Sequence, residues 1–337
     1  MKVVFDCPQP VAFAHGGAQI QVDQTKAGLE ACGVEVEYLR WWDSSQRFDL
    51  VHFFGVPSTQ YLSNARVVGK PVVITNLFTE TCNRSPARWQ RQRWLMQALL
   101  ALPFGRSVKR QLNWTAFGLA THNVVGLTAE KNVLTQVYRV PADKISVVPL
   151  GLSPTFLSAG PGSHKESHLI CTGTITPRKC SVELATLARA AQVPILFVGK
   201  PYHESDVYWR QFRNLIDGRW VRHQPHTDSE AEMVALLQAA RGFVLMSWYE
   251  NWCLSAHEAV ACGLPLLVPD QNWSRERFGD RVKYFPGLGV NDTNLRVLKS
   301  FYEEAPRLAA PAIKLHDWRA VASELKKVYE MVLARPA

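Results

Sequence analysis

Twice along this 337-residue chain, short runs of β-branched and aromatic residues alternate with stretches of helical periodicity. A strand followed by a helix and then another strand builds a parallel, doubly wound α/β sheet, so this alternation constrains the fold more than any other feature. Residues 2–5, 34–39, 49–54, 71–75, 123–128 and 144–149 read as the first series of strands. A helix over 19–32 stops at Gly33, as a helix C-terminus should. Residues 151–165, with Gly-Leu-Ser-Pro and then Ser-Ala-Gly-Pro-Gly-Ser-His, are turn-rich and read as a linker. The alternation restarts with strands at 168–173, 194–199, 220–222, 242–246 and 265–268, and with helices from Ser181, over 229–240 and over 255–262. A closing helix over 317–335 carries Val321, Leu325, Val328, Met331 and Leu333 at helical spacing. The expectation is two Rossmann-like, doubly wound domains facing a cleft.

Composition narrows the function classes. Hydrophobic residues are 47% and charged residues 20%, as in a packed globular protein and not a disordered one. No run approaches the ~18–20 apolar residues that span a bilayer. Residues 1–8 turn polar too soon for a signal peptide and read as a first buried strand. The seven cysteines are scattered without a C-x-x-C pair. Free thiols in a reducing compartment follow, hence a cytoplasmic location, and no zinc-ligand spacing is seen.

Three segments of the second half belong together. In Cys171-Thr172-Gly173-Thr174-Ile175-Thr176-Pro177-Arg178-Lys179, a strand ends at a glycine and two cations open the next helix. Cations and a helix N-terminus at a carboxyl sheet edge can hold a diphosphate; a solvated Arg-Lys pair is the alternative. In Glu250-Asn251-Trp252-Cys253-Leu254-Ser255-Ala256-His257-Glu258, one carboxylate lies in a loop and another about one turn into a helix. Amides for phosphates, one carboxylate for sugar hydroxyls and one for ribose hydroxyls is what a nucleotide sugar needs; a capping and a surface carboxylate is the alternative. Cys262-Gly263-Leu264-Pro265 ends that helix and starts the next strand, which fixes the register of the Glu250 loop.

With Ala-Val-Ala-Cys-Gly-Leu-Pro-Leu-Leu-Val after it, the segment 250–258 resembles the donor-site signature of retaining GT-B glycosyltransferases of family 4. The resemblance covers nearly the whole chain. His15-Gly16-Gly17-Ala18-Gln19 is similar to the family's glycine loop, Asp49-Leu50-Val51-His52 to its third-strand motif, and residues 128–156 to the end of its first domain. It implies an acceptor-side domain over 1–155, a donor domain over 156–316, and a closing helix 317–335 that returns to the first domain. It implies retention of anomeric configuration without a metal; no D-x-D motif is present. The donor is a substrate, and no cofactor is implied. Lys179, with Arg178, would neutralise the leaving diphosphate. Glu250 would contact donor hydroxyls and Glu258 the ribose. Gly16, Gly17, Gly173, Thr174, Asn251, Trp252, Cys253, Leu254 and Ser255 would line the donor. The chain departs from the pattern at Thr174, where the family has Arg, and at Asn251 and Cys253, where it often has glycine. Asn tolerates left-handed backbone and Cys does so poorly. After the strand at 71–75 the chain reads Asn76-Leu77-Phe78, without the family's His. Among the histidines, His52 and His257 read as packed interior residues and His15 as the one beside the glycine loop.

The net charge of +9 is concentrated. Residues 81–129 hold no Asp or Glu but carry Arg84, Arg88, Arg91, Arg93, Arg106, Lys109 and Arg110. Arg84, Arg88 and Arg91 follow helical spacing, with Trp89, Trp94, Leu95, Met96, Leu99 and Leu100 interleaved. A basic amphipathic helix suits an anionic membrane surface or an anionic acceptor, with Arg84, Arg88, Arg91, Arg93, Trp89 and Trp94 in contact; a solvated face over a packed one is the alternative. No nucleic-acid-binding pattern is seen. The reading is a metal-independent hexosyltransferase that takes a nucleotide-diphosphate sugar to a glycan or lipid-linked glycan. A catalytically weak nucleotide-sugar-binding protein and a nucleotide-sugar epimerase of the same fold are the alternatives.

Overall fold

A computed structural model describes residues 1–8, 16–75, 80–102, 113–163 and 166–334. They divide into two compact units. The first runs to Gly151 and regains the chain at Trp318; the second takes Leu152–Asp317, and Gly16–Gly17 associates with it. Each unit holds a six-stranded sheet, parallel throughout.

The first sheet contains β1 (Lys2–Asp6), β2 (Glu35–Tyr38), β3 (Leu50–Phe54), β4 (Val72–Thr75), β5 (His122–Val125) and β6 (Ile145–Val147), in the order 2-1-3-4-5-6. The central β4 and β5 are buried along their whole length, as strands covered on both faces must be. Helix α1 (Gly17–Ala31) ends at Gly33, whose φ of +77° completes the turn. A Cβ on Gly28 of α1 would stand 2.8 Å from the Trp318 carbonyl oxygen and 2.9 Å from Ala322 Cβ. That glycine lets the closing helix, Trp318–Leu333, cross at backbone distance. From this helix the Tyr329 hydroxyl reaches His52 Nδ1 at 2.6 Å, and His52 Nε2 lies 2.6 Å from Thr75 Oγ1. His52 is thus a satisfied core histidine, and burial pushes its pKa down to about 3.

The second sheet contains β7 (Leu169–Thr172), β8 (Ile195–Val198), β9 (Val221–Gln224), β10 (Gly242–Val244), β11 (Leu266–Pro269) and β12 (Lys283–Phe285), in the order 12-11-10-7-8-9. The edge strand β12 has no apolar run to announce it. The unit starts at Leu152, four residues before the expected 156, because Leu152 is already bound into it. Its amide donates to the His316 carbonyl at 2.8 Å, and Ser153 Oγ lies 2.7 Å from a Glu230 carboxylate oxygen. β10 is two residues shorter than expected, which lengthens the loop carrying Glu250. The first unit also contains α2 (Pro86–Ala101), and the second α3 (Ser181–Ala191), α4 (Leu254–Ala261) and α5 (Asn272–Phe278).

Where β7 and β8 end, the backbones touch: a Cβ on Gly199 would lie 1.9 Å from the Gly173 carbonyl oxygen. No side-chain movement relieves a clash with backbone. Gly199→Ala is expected to destabilise the protein by about 3 kcal/mol or more. Gly118→Ala, in open space on a short helix, should be neutral or slightly stabilising. Urea denaturation of the two variants checks this.

Candidate active site

Two loops that are far apart in sequence meet because β7 and β10 are neighbours in the second sheet. The loop after β7 contains Gly173, with φ of +142°, and then a short turn of helix, Pro177–Lys179. A Cβ on Gly173 would stand 3.5 Å from Lys179 Cε, so the lysine chain runs over the strand end. The loop after β10 contains Glu250. Lys179 Nζ lies 2.7 Å and Arg178 Nη1 2.8 Å from the same Glu250 oxygen. Arg178 also donates to the Tyr249 carbonyl at 3.0 Å, and the Trp248 amide donates to the Arg178 carbonyl at 2.7 Å. The Glu250 side chain is only 8% exposed and that of Lys179 12%. Burial by itself would raise the Glu250 pKa, but Lys179 and Arg178 outweigh it and hold the carboxylate below its ordinary value. The three expected catalytic residues therefore form one ion cluster around the buried Glu250 carboxylate, with Arg178 at its half-exposed side.

Helix α4 begins beside this cluster. Its first two amides, of Leu254 and Ser255, have no protein acceptor among the described residues, as the first turn of a helix leaves them. Glu258, one turn in, is partly buried and has no hydrogen-bond or ion-pair partner among the described residues. Burial, then the Glu230 charge, raise its pKa to about 7 against an opposing pull from Lys179. A carboxyl group held this way is free to hydrogen-bond a hydroxyl or amide of a ligand.

Gly16 and Gly17 reach the same place. Cβ atoms there would stand 3.5 Å from Thr174 Oγ1 and 4.0 Å from Leu254 Cδ1, and Gly16 has φ of +129°. The structure thus gathers Gly16, Gly17, Gly173, Thr174, Lys179, Glu250 and the α4 N-terminus. His15 and Asn76 lie outside the described residues.

Of the two residues that replace the family's glycines, Cys253 takes the left-handed conformation, with φ of +59°, although Asn251 would tolerate it better. One expectation for this loop is corrected. The Trp252 indole does not line the site, because it is buried in a stack: His257 lies parallel to it at 5.0 Å and the Arg277 guanidinium covers it at 3.8 Å. His257 Nδ1–H donates to the Cys253 carbonyl at 3.0 Å, which leaves Nε2 to accept from Arg277 Nε–H at 3.3 Å. Burial lowers the His257 pKa to about 3, so this neutral tautomer persists. This layer pins the carbonyl of the strained residue. The sequence reading missed Arg277, which comes from α5; its only local signal is a cation on an otherwise packed helix face. His257 carried one, its i+4 spacing from Cys253.

The basic segment of the first unit is also redistributed. Arg84 precedes α2, whose cap is Ser85 with Pro86 in the first turn, and donates to Gln92 at 2.9 Å. Trp89, expected on the contact face, is 7% exposed; its indole N–H donates to the Thr81 carbonyl at 2.7 Å, and it packs in a core cluster with Met96. Arg88 and Arg91 are exposed, Arg93 is half-buried, and Trp94 is 67% exposed. Leu95, Leu99 and Leu102 continue the Arg88–Arg91 stripe and are exposed too. Arg106, Lys109 and Arg110 lie outside the described residues.

Residues 172–281 match a family described as "Family 4 Glycosyltransferase in conflict systems". The O-antigen chain mannosyltransferase B of Escherichia coli is 22% identical over 223 residues, 60% of this chain and 58% of that protein. The MMP alpha-(1->4)-mannosyltransferase of Mycolicibacterium hassiacum is 25% identical over 313 residues, 86% of this chain and 72% of that protein. The match to the first thus spans under two thirds of that relative's length. In fold, the chain is similar to Anabaena Alr3699/HepE in complex with UDP-glucose, with a TM-score of 0.62 and 15% identity over 98% of each chain.

The pH dependence of Glu258 is a direct check on the site. Its raised pKa means the folded protein binds a proton that the unfolded chain releases between pH 4.5 and about 7. Stability from this group is full below that window and lost as pH rises through it. Glu258→Gln should match wild type at pH 4 and exceed it above pH 7, by up to about 3 kcal/mol, in thermal or urea melts across pH.

Proposed function

We propose that this chain, a family 4 glycosyltransferase with the GT-B fold, moves a hexose from a nucleotide-diphosphate sugar to a glycan or lipid-linked glycan, with retained anomeric configuration and no metal ion. One observation carries this reading: the Lys179–Glu250–Arg178 cluster stands beside a helix N-terminus and the unpartnered Glu258. The α4 amides face the phosphates and Glu258 takes the ribose hydroxyls. As the bond from sugar to phosphate breaks, negative charge grows on the departing diphosphate. Lys179 is already oriented and partly desolvated, so it stabilises that charge without reorganisation. Arg178 holds the Tyr249–Glu250 loop and adds a second cation. Two fixed cations supply the neutralisation that a divalent metal provides elsewhere. Glu250, held ionised, accepts from donor-sugar hydroxyls. The names of the two relatives favour mannose as the sugar, and the fold neighbour's bound UDP-glucose favours a uridine nucleotide.

A thermal-shift panel of UDP-glucose, GDP-mannose and an ADP-sugar tests the donor. One class should stabilise the protein, by about 2.7 kcal/mol at a hundredfold excess over Kd, and Glu258→Ala should abolish the effect. No shift with any member of the panel would refute the donor assignment. With the active donor, Lys179→Ala should lower turnover about 10²- to 10³-fold in a nucleotide-release assay.

The exposed stripe of α2 supports a second element of the proposal, contact with an anionic membrane surface at the cytoplasmic face. No helix among the described residues is long and apolar enough to cross a membrane. Arg88 and Arg91 would meet the headgroups while Trp94, Leu95, Leu99 and Leu102 enter the interface, each cation contributing about 1 kcal/mol. Pelleting with phosphatidylglycerol liposomes should fall sharply in Arg88→Glu/Arg91→Glu; equal pelleting of variant and wild type would defeat this element.

A further inference from the structure

The most exposed large aromatic side chains of the described residues are two neighbours, Trp41 at 84% and Trp42 at 82%. They occupy the two central positions of a β-turn closed by the Asp43 amide on the Arg40 carbonyl at 3.1 Å. The base of this turn is cross-linked. Arg40 donates to Asp43 at 3.0 Å and to Glu37 at 3.1 Å. Gln46, itself buried, accepts from the Arg40 amide at 2.9 Å and donates to Glu37 and to the Tyr38 carbonyl. Asp43 also accepts from the Ser45 amide and hydroxyl. The polar groups of the base are spent on one another, so a rigid support presents two indoles that pack on nothing among the described residues. Leaving that much apolar surface in water is unfavourable, and the fold draws no packing from it.

Placement and charge say what it meets. The turn follows β2, the outermost strand, and so lies at the carboxyl edge of the first sheet, one strand away from the β1–β3 reversal of strand order at which open parallel sheets bind their ligands. Residues 35–49 carry four carboxylates and two guanidinium groups; Arg40 is already paired with Glu37 and Asp43, and Lys2 with Glu35 and Glu37, so the surface around the turn is close to balanced. It has no excess of cations to draw an anionic lipid or phosphate, in contrast to α2. An uncharged ligand that offers C–H faces to an aromatic plane and hydroxyls to its surroundings needs none. A pyranose ring is such a ligand, and rigid aromatic side chains are ordered by it at low entropic cost.

We propose that Trp41 and Trp42 form a stacking platform for a neutral oligosaccharide, the non-reacting portion of a glycan acceptor. Its role, though not the binding itself, rests on the transferase reading above. Two adjacent indoles engage successive sugar units, so the platform selects chains over single sugars.

The test is the indole N–H spectrum of the 15N-labelled full-length protein, with the Trp41 and Trp42 signals assigned by Trp41→Phe and Trp42→Phe. Millimolar α-mannotetraose, cellotetraose and, separately, mixed phosphatidylcholine–phosphatidylglycerol vesicles are added without donor. The expected result is a saturable shift of both signals with at least one tetrasaccharide and none with vesicles. Silence toward both tetrasaccharides, or a response to vesicles, overturns the proposal, the latter making the turn a membrane wedge. In transfer assays with the responding sugar as acceptor, Trp41→Ala/Trp42→Ala should lower kcat/KM about tenfold or more. The thermal shift by donor should persist in that variant, since the side chains support no packing. A positive donor panel with silent indoles therefore rejects this proposal alone, and a silent donor panel with responsive indoles rejects only the donor assignment.

Discussion

The second unit is organised around one buried carboxylate. Glu250 holds Lys179 and Arg178 on a single oxygen, and in doing so ties the loop after β7 to the loop after β10. Charges in such a place are costly unless each is matched, and removing one partner from a buried pair typically costs 3–5 kcal/mol. The cluster therefore couples the two loops, since neither can move away without leaving a charge unmatched. Everything used in the proposed chemistry is measured from it: Lys179 over the Gly173 strand end, the α4 amides, and Glu258 one turn further on. The same burial that raises the cost of these charges sharpens their field at a leaving group.

A second layer keeps this arrangement in register. Cys253 lies in left-handed backbone, which a residue with a Cβ avoids. The strain is retained because the carbonyl of Cys253 is held by His257, whose other nitrogen accepts from Arg277, while the Trp252 ring packs against both of these side chains. A local cost of this size persists only where surrounding contacts over-determine it. Thus the loop has the shape that glycine would give without the freedom that glycine would bring.

The first unit treats its apolar and charged residues differently on different surfaces. On α2 the tryptophan that looks amphipathic, Trp89, is core, whereas Leu95, Leu99 and Leu102 are the exposed members of the arginine stripe. At the end of β2 the charges are paired with one another and the exposed residues are a tryptophan pair. The first surface suits an anionic partner and the second a neutral one. The +9 net charge is thus a property of particular surfaces and not of the molecule at large.

Strand positions and their order of appearance were legible in the sequence, since buried parallel strands are short β-branched runs and their helices end at glycines such as Gly33. So were Lys179, Glu250 and Glu258, because strand-end glycine, paired cations and a carboxylate at helical distance are local patterns. Strand ends shifted by a few residues, and β12, at the sheet edge, carries no such pattern. The sequence could not show that Arg178 and Glu250, 72 residues apart, share an ion pair, or that Arg277 covers Trp252. Nor could it tell Trp89 from Trp94, or mark Trp41 and Trp42 as solvent-facing. Periodicity reports that a helix has an apolar side and that a turn contains aromatics. Which of those side chains meets protein and which meets water depends on what the rest of the chain packs against them, and that is a property of the tertiary structure alone.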